Sequence, residues 1–202
     1  MQIQEISPLK SKKYRILLED GFSFVLYKGE KDRYSLEEGM ELSEELWLEI
    51  RNGILAKRAK KRAMHLLEKM DRTEKQLRDK LTENGYPSDL VDEAVEYVRS
   101  YHYIDDRRYA ENYIRYRQES KSRILLKNEL LRKGISSQII DEAMEAEYHM
   151  DPRTLIDQWL KKKGYSSSEQ DSEKERKIGQ FLLRKGFSWE DIRSCMSRFE
   201  KE

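Results

Sequence analysis

The sequence contains little of what marks a secreted or membrane-bound protein. A single cysteine, Cys195, in 202 residues excludes an intrachain disulfide and suggests a reducing compartment. The longest uninterrupted apolar run, residues 24–27, is far shorter than the ~20 residues that a membrane-spanning helix needs. The first ten residues also lack the apolar region of a signal peptide. These absences predict a cytoplasmic protein with no membrane association.

Motifs for catalysis and for metal or nucleotide binding are missing as well. No Gly-x-x-x-x-Gly-Lys loop is present to hold nucleotide phosphates. His65, His102 and His149 are scattered, without the spacing of a zinc site. No serine or cysteine lies in a recognisable nucleophile turn. We therefore expect no catalytic residues, no metal and no cofactor, and we expect Cys195 to be an inert core thiol.

Apolar residues are scarce throughout the chain. They make up 37% of the sequence, below the ~45–50% of ordinary globular domains, whereas charged residues make up 39%. The ratio of surface to core must therefore be high. Small units stacked in a row satisfy this ratio better than one large core does.

One sequence phrase recurs three times: DKLTENGYPSDLVDEAV at 79–95, NELLRKGISSQIIDEAM at 128–144 and QFLLRKGFSWEDIRSCM at 180–196. Its central glycines, Gly85, Gly134 and Gly186, are 49 and 52 residues apart. Glycine adopts a left-handed backbone at little cost, so it commonly follows a helix C-terminus. The next residue is apolar and can pack back on the last helical turn, and Ser136 and Ser188 then cap a new helix, with Pro87-Ser88 at this position in the first copy. The phrase predicts helix, stop and helix in each of three repeats.

The first fifty residues follow a different pattern. Two apolar and β-branched runs, at about residues 13–19 and 22–28, flank Asp20-Gly21, a dipeptide suited to a two-residue hairpin turn. A helix that begins after Ser43 would dock this hairpin on the repeats. Because the apolar stripes of the repeats close on themselves, deletion of residues 1–50 is expected to leave the repeats folded.

The predicted fold is mainly α-helical, with three tandem three-helix repeats after a small N-terminal β-hairpin. The predicted domains are the hairpin with its docking helix at 1–52 and the repeats at 53–100, 101–150 and 151–202. Thr73 and Gln76 have capping-box spacing, and Asp151-Pro152 begins the third repeat as a cap and a first helical residue. The stretch YSSSEQDSE at 165–173 predicts a loop.

Apolar residues at helical spacing predict which faces are buried. In the opening helix of repeat 1 they form the stripe Ala59, Ala63, Leu66, Leu67 and Met70. In the second repeat, Tyr109, Ala110, Tyr113 and Ile114 are expected to face inward. For Tyr86, Tyr109 and Tyr113 we favour packing over stacking on nucleic-acid bases, whereas Tyr101, Tyr103 and Tyr116 stay unassigned.

The net charge of +1 conceals an uneven distribution. Residues 51–80 hold 11 basic and 4 acidic side chains, whereas residues 81–100 hold 1 basic and 5 acidic ones. Residues 136–151 hold 5 acidic side chains and no basic one. Positive charge therefore collects on the early helices of a repeat and negative charge on the late ones. A basic face of this kind is compatible with a nucleic acid or an anionic protein as partner.

The candidate binding residues are basic side chains on the early helices of repeats 1 and 2. They are Lys57, Arg58, Lys60, Lys61, Arg62, Arg108, Arg115, Arg123, Lys127, Arg132 and Lys133. No acidic residue lies between residues 55 and 65 to neutralise the first five. In repeat 2, by contrast, Glu111, Glu119 and Glu129 could pair with some of the candidates. The alternative is a solvated helix face that binds nothing.

Four stretches carry a family resemblance. YIDDRRYAENYIRYR at 103–117, followed by ELLRKGIS at 129–136, resembles the central signature of RecX, the family of bacterial regulators of the RecA recombinase. RTEKQLRDKL at 72–81 and FLLRKGFS at 181–188 resemble its first and third repeats. The similarity covers roughly residues 55–200. It implies tandem three-helix repeats in an elongated, curved array, with no catalytic residues.

The resemblance also implies a partner and an effect. We expect a monomer that binds in the groove of the RecA filament on DNA, with single- or double-stranded DNA contacted inside the filament. The expected outcome is less strand exchange, less ATP turnover and less co-protease function in the SOS response. Two alternatives stay open. One is a freestanding DNA-binding protein of the helix-turn-helix type, and the other is a helical scaffold with no effect on RecA.

Overall fold

A computed structural model describes residues 1–165 and 172–199. The chain divides into two units, residues 1–105 and residues 106–202. The first unit contains an N-terminal sheet and repeat 1, and the second contains repeats 2 and 3. Within the described residues the fold is mainly helical, as predicted. Residues 166–171 of the loop predicted at 165–173 lie outside the described part of the chain.

The N-terminal sheet has three antiparallel strands in the order β1 (Ile3–Leu9), β2 (Lys13–Leu18) and β3 (Ser23–Tyr27). The sequence predicted β2 and β3 but not β1. That strand contains Pro8, and only Ile3 within it is buried, so it lacks the apolar alternation that identifies a strand. It lies at the edge of the sheet, where a proline is tolerated.

The turn between β2 and β3 differs from the prediction. The backbone N–H of Leu18 donates to the Phe22 carbonyl at 2.8 Å, and the N–H of Gly21 donates to the Leu18 carbonyl at 3.0 Å. The connection is therefore residues 19–21, with Gly21 at φ +83°. This is the three-residue hairpin with a left-handed glycine at its end, so the predicted two-residue turn is wrong.

Helices α1 (Lys28–Arg33) and α2 (Glu44–Ile50) follow the sheet. As predicted, Ser43 caps α2, since its hydroxyl accepts from the Leu46 N–H at 3.2 Å. A π-helical turn at Arg51–Leu55 then joins α2 to α3 (Ala56–Lys69). The docking helix and the opening helix of repeat 1 are therefore contiguous, and the predicted domain boundary at residue 52 lies inside this helical segment.

The sheet shares its core with repeat 1. Buried Ile16 and Phe24 of the sheet belong to one apolar cluster with Leu55 at the end of the π-helical turn, Ala56 at the start of α3, and Leu90. The edge-to-face contact of Phe22 with Trp47, at 5.2 Å between ring centroids, extends this cluster to α2. The N-terminal segment is thus packed into the first unit, which argues against the expectation that residues 1–50 are dispensable for the fold of repeat 1.

The remaining helices form three repeats of three helices, as the sequence predicted. Repeat 1 contains α3, α4 (Glu74–Glu83) and α5 (Ser88–Ser100). Repeat 2 contains α6 (Asp106–Arg117), α7 (Arg123–Arg132) and α8 (Ser137–Glu147). Repeat 3 contains α9 (Pro152–Lys162), α10 (Ser172–Arg184) and α11 (Trp189–Phe199).

Each repeat encloses an apolar cluster of its own. In repeat 2, buried Ala110 and Ile114 are flanked by half-buried Tyr109 and Tyr113, as predicted. In repeat 1 the stripe continues through Leu66 and half-buried Leu67, but Met70 is 57% exposed. The prediction for Met70 is wrong because α3 ends at Lys69 and the backbone of Met70 is extended.

Cys195 is buried in the core of repeat 3, as expected. Burial raises the pKa of its thiol to about 11, with a further contribution from the nearby Asp157 carboxylate. The thiol is therefore protonated at neutral pH, and the thiolate that would act as a nucleophile is suppressed.

The repeated glycines end the middle helices as predicted. Gly85, Gly134 and Gly186 have φ of +83°, +89° and +83°. In repeat 1 the Tyr86 N–H donates to the Leu81 carbonyl at 3.3 Å, and the Gly85 N–H donates to the carbonyl of Thr82 at 2.8 Å. The same pair of bonds recurs in the other two repeats. These are the two hydrogen bonds of a Schellman motif, which satisfies carbonyls that the helix end leaves free.

Gly85 and Gly186 also make close contacts. A Cβ on Gly85 would collide with the Val25 side chain of β3, and a Cβ on Gly186 would collide with the Ser122 hydroxyl oxygen and approach Leu125 at the start of α7. The turn of repeat 1 thereby lies directly against the sheet. The turn of repeat 3 lies against the start of the middle helix of repeat 2.

Substitution of Gly186 by alanine is expected to destabilise the second unit. The side chain would be strained at positive φ, on the order of 1–3 kcal/mol, and would collide with Ser122. The matched control is Gly53→Ala, at a helical position with nothing within 4 Å, where alanine should gain up to about 1 kcal/mol. Urea unfolding of both variants measures the difference. Equal stabilities would contradict the role of Gly186.

Deletion of residues 1–50 is expected to destabilise repeat 1 selectively, because it removes the sheet and α2 from the shared cluster. Hydrogen exchange should show faster exchange of the α5 amides around Leu90. The α8 amides of repeat 2 are the internal control and should keep their protection, since their core lies in the other unit. Unchanged protection of α5 would show that the sheet is an accessory after all.

Candidate functional site

The candidate basic residues of repeat 1 lie on α3. Ala59 and Ala63, which belong to the apolar stripe of this helix, are buried, whereas Lys57 and Lys61 are exposed. Arg58 and Arg62 are half-buried on the side that borders the recess beside the sheet. Some of the basic side chains of α3 therefore point to solvent, and others contact the first unit.

Two of these cations are neutralised by distant acids. The Arg58 guanidinium lies 2.6 Å from the Glu30 carboxylate of α1, and the Lys60 ammonium lies 2.8 Å from the Glu93 carboxylate of α5. Arg58 also donates to the Val25 carbonyl of β3. The window of residues 55–65 does lack acids, but the fold brings acids from elsewhere. The lack of acids in that window therefore does not leave Arg58 and Lys60 unpaired.

The same arrangement occurs in repeat 2. Arg115 makes a bidentate ion pair with Glu147 of α8, with N–O distances of 2.6 and 2.9 Å. The Lys127 ammonium lies 2.6 Å from the Asp141 carboxylate, also on α8. The hydrogen bond from each cation holds the pKa of Glu147 and of Asp141 below its usual range. The acidic last helices of repeats 1 and 2 therefore pair with the basic early helices.

Lys133 lies over the rings of Tyr109 and Tyr113, with its ammonium 5.6 and 5.3 Å from their centroids. Burial raises the pKa of Tyr113 to about 12, and its hydroxyl donates to the Glu129 carboxylate at 2.8 Å. Lys121 pairs with the same carboxylate at 2.5 Å. Lys133 thus belongs to a cation–aromatic cluster of repeat 2. Arg108, the remaining candidate of this repeat on α6, has an interaction partner of its own.

Five candidates have no carboxylate within 4.0 Å among the residues that the structure describes. They are Lys57, Lys61, Arg62, Arg123 and Arg132. All but Arg62 are exposed. No described carboxylate neutralises these five side chains, in contrast to Arg58, Lys60, Arg115 and Lys127.

Sequence reasoning missed a recurring feature of the repeats. In repeat 3, as in repeat 2, the lysine directly before a helix-ending glycine lies over an aromatic ring. The ammonium of Lys185, before Gly186, is 4.9 Å from the Trp159 ring centroid. The ammonium of Lys163, before Gly164, is 4.6 Å from the Phe181 ring centroid. Cation–aromatic contacts of this kind are worth about 0.5–1 kcal/mol at exposed sites. The Lys-Gly dipeptide was the available signal, but its aromatic partner is distant in sequence.

The tyrosines that the sequence left unassigned are exposed. Tyr97, Tyr101 and Tyr103 form a row at the end of α5, with successive ring centroids 5.1 and 6.1 Å apart. Tyr116 on α6 is 81% exposed. Aromatic rings displayed in this way can contact a partner, whereas Tyr86, Tyr109 and Tyr113 are packed, as predicted.

Within residues 1–165 and 172–199, no helix combines the length and the apolar character needed to cross a membrane. The same residues contain no group of three or more histidine, cysteine, aspartate or glutamate side chains placed to hold a metal ion.

Reversal of Arg115 to glutamate is expected to lower the melting temperature, because it replaces a bidentate ion pair with two facing carboxylates. Arg132→Glu is the matched control, since Arg132 is exposed and has no carboxylate partner in the described chain. Exchange of the charges in Arg115→Glu/Glu147→Arg should recover part of the loss. If Arg115→Glu and Arg132→Glu melt at the same temperature, the pair does not hold α8 on α6.

The sequence matches the models of one known family over all three repeats. Models of the first, second and third three-helix domains of RecX match residues 59–97, 105–144 and 151–196. Regulatory protein RecX of Caldanaerobacter subterraneus subsp. tengcongensis is 32% identical over 190 residues, which are 93% of this chain and 94% of that protein. Regulatory protein RecX of Clostridium tetani is 27% identical over 197 residues, 96% and 91% of the two chains.

Solved structures give the same result. A crystal structure of regulatory protein RecX superposes with a TM-score of 0.61 at 26% identity, over 96% of this chain and 98% of that one. RecX from Lactobacillus salivarius gives a TM-score of 0.56 at 26% identity, over 71% of this chain and 96% of that one. Given three matched domains in order and relatives similar over nearly their whole length, the chain belongs to the RecX family of regulatory proteins.

Proposed function

We propose that this chain regulates the RecA recombinase by binding the RecA–DNA filament and lowering its ATP turnover, strand exchange and co-protease activity in DNA repair and the SOS response. The observation that carries the proposal is the complete set of three RecX domains on one chain, in order. The protein acts as a cytoplasmic monomer, and its effect comes from binding, with no catalytic step or cofactor.

The distribution of free cations supports a filament as the partner. Lys57 and Lys61 lie on the opening helix of repeat 1, and Arg123 and Arg132 lie on the middle helix of repeat 2. A helix-turn-helix protein concentrates its base-reading side chains on one recognition helix per half-site. Cations spread over successive repeats suit a partner that is itself periodic. Weak contacts made together also bind far more tightly than each alone.

The charges also suit the anionic DNA inside such a filament. Exposed lysines and arginines attract phosphates over long distances, and each neutralised phosphate releases counterions. The net charge is only +1 because acidic and basic residues are nearly equal in number, so binding depends on where the unpaired cations lie and not on total charge. Regulation then follows if the protein binds one state of the filament in preference to another.

Reversal of unpaired cations should therefore weaken filament binding without unfolding the protein. Lys57→Glu/Lys61→Glu and Arg132→Glu are the variants, since these side chains are exposed and have no carboxylate partner in the described chain. Binding to RecA-coated single-stranded DNA, measured by fluorescence anisotropy, should weaken about fivefold or more near 0.1 M salt for each phosphate that the variant no longer neutralises. The log–log salt slope should fall by about 0.7 for each such phosphate.

The control replaces exposed cations outside the repeats. Lys10→Glu/Lys28→Glu introduces the same charge change on the turn after β1 and at the start of α1. Reversal of the acidic residues of α5 is unsuitable as a control, because Asp92 pairs with Arg78 and Glu93 pairs with Lys60. An equal loss of binding in the Lys10/Lys28 variant would contradict the assigned face. Tight, sequence-selective binding to naked duplex DNA would favour the helix-turn-helix alternative instead.

A further inference from the structure

A recess lies where the N-terminal sheet meets repeat 1. Its walls come from β2, β3, α3 and the turn after α4, and its volume is about 360 Å³. The turn is drawn against β3 at Gly85, where any side chain would collide with Val25. The recess therefore exists only because the sheet is docked on the first repeat.

The lining of the recess is strongly basic. Lys13 of β2 and Arg58, Lys61 and Arg62 of α3 all line it, together with His65, and none of the lining residues is a carboxylate. Lys13 is far from the α3 run in sequence, so the fold gathers these cations from separate elements. Such a convergence of like charges is unfavourable unless an anion is present.

Arg58 is held in place as part of the wall. Its guanidinium pairs with Glu30 at 2.6 Å and lies 5.0 and 5.8 Å from the ring centroids of Tyr27 and Tyr86. It also donates to the Val25 carbonyl. Arg58 therefore connects α3 to α1 and to the sheet, and its guanidinium is already paired.

The other three cations are available. Among the described residues, Lys13, Lys61 and Arg62 have no carboxylate within 4.0 Å. The Nε atom of Arg62 is buried and has no hydrogen-bond partner. A buried donor without an acceptor is costly, and native structures rarely leave one unsatisfied. Because Arg62 also lines the recess, a small rotation of its side chain would bring this donor to an acceptor bound there.

We propose that the recess binds a phosphodiester group of a single-stranded nucleic acid. Phosphate oxygens accept strong, charge-assisted hydrogen bonds from guanidinium and ammonium groups. The volume is at the lower end of small-ligand pockets, which leaves room beside the phosphate for the adjoining sugar or base. Tyr27 contributes indirectly, since its ring lies beside both Lys13 and Arg58, at 5.4 and 5.0 Å from the ring centroid. A single strand can bend its backbone into a recess, whereas a duplex is stiff over this length.

This inference deepens the proposed function and rests on it for its biological setting, since it names one site at which DNA in the filament is contacted. It also assigns the N-terminal sheet a role in binding through Lys13. None of the candidates inferred from the sequence lies in that sheet.

The test uses the full chain and a labelled oligo(dT), with anisotropy measured over a series of salt concentrations. The double variant Lys13→Gln/Lys61→Gln should bind about fivefold more weakly near 0.1 M salt, and its log–log slope should be about 0.7 smaller, as expected when one phosphate is no longer neutralised. Arg62→Gln should act in the same direction. Lys10→Gln is the matched control, because Lys10 is exposed and does not line the recess, and its binding should equal that of the unmodified chain.

Lys61→Gln alone keeps the test valid if the other variants misfold, since Lys61 is exposed. It should weaken binding where Lys10→Gln does not. The proposal is overturned if Lys61→Gln and Lys10→Gln bind alike, or if the unmodified chain fails to bind oligo(dT). Competition with inorganic phosphate and with a mononucleotide identifies the source of the phosphate. Displacement by inorganic phosphate at the concentration at which unlabelled oligo(dT) competes would overturn the assignment to a strand.

Inhibition of RecA separates this inference from the proposed function. If the chain inhibits RecA while the recess variants bind oligo(dT) normally, the recess proposal fails and the proposed function stands. If the recess variants lose oligo(dT) binding while the unmodified chain has no effect on RecA, the recess stands and the proposed function fails.

Discussion

The left-handed glycine at the end of each middle helix is the constraint on which the other features depend. It lets the chain close two main-chain hydrogen bonds over the last helical turn and reverse direction within a few residues. The last helix of the repeat can then pack on the opening helix, and the two helices form ion pairs such as Arg115–Glu147. At Gly85 the absence of a side chain also lets the sheet approach the first repeat, and the basic recess forms beside that contact.

Ion pairs within the repeats bring together many of the opposite charges of this highly charged sequence. The acidic residues of α5 and α8 contact the basic side chains of the early helices, so much of the apparent basic face is neutralised internally. Exposed pairs contribute little individually to stability, but they determine which cations stay free. The unpaired ones, such as Lys57, Lys61 and Arg132, are a minority of the candidates. The surface available to an anionic partner is correspondingly smaller and better defined than the sequence indicated.

The features predicted correctly from the sequence are local ones. Glycine stops, the Ser43 cap and the Thr73 capping box follow from residues a few positions apart, and the structure contains all of them. The features missed depend on distant residues. Strand β1 is stabilised mainly by pairing with β2, and the acid that neutralises Lys60 is 33 residues away on α5. The continuity of α2 with α3 was hidden because Gly53 lies in the segment that joins them, and a glycine there is more typical of a helix end than of a helix interior. The partner-binding residues stay a prediction, since side-chain positions alone do not identify a partner.

We propose that this repeat protein controls the RecA recombinase by binding it, with no catalytic step. The most direct measurement is the DNA-dependent ATPase of the cognate RecA, titrated with this protein while filament occupancy is followed in the same samples. We predict that ATP turnover falls in proportion to filament occupancy and recovers when salt displaces the protein. An ATPase rate that stays constant while the filament becomes saturated with the protein would contradict it.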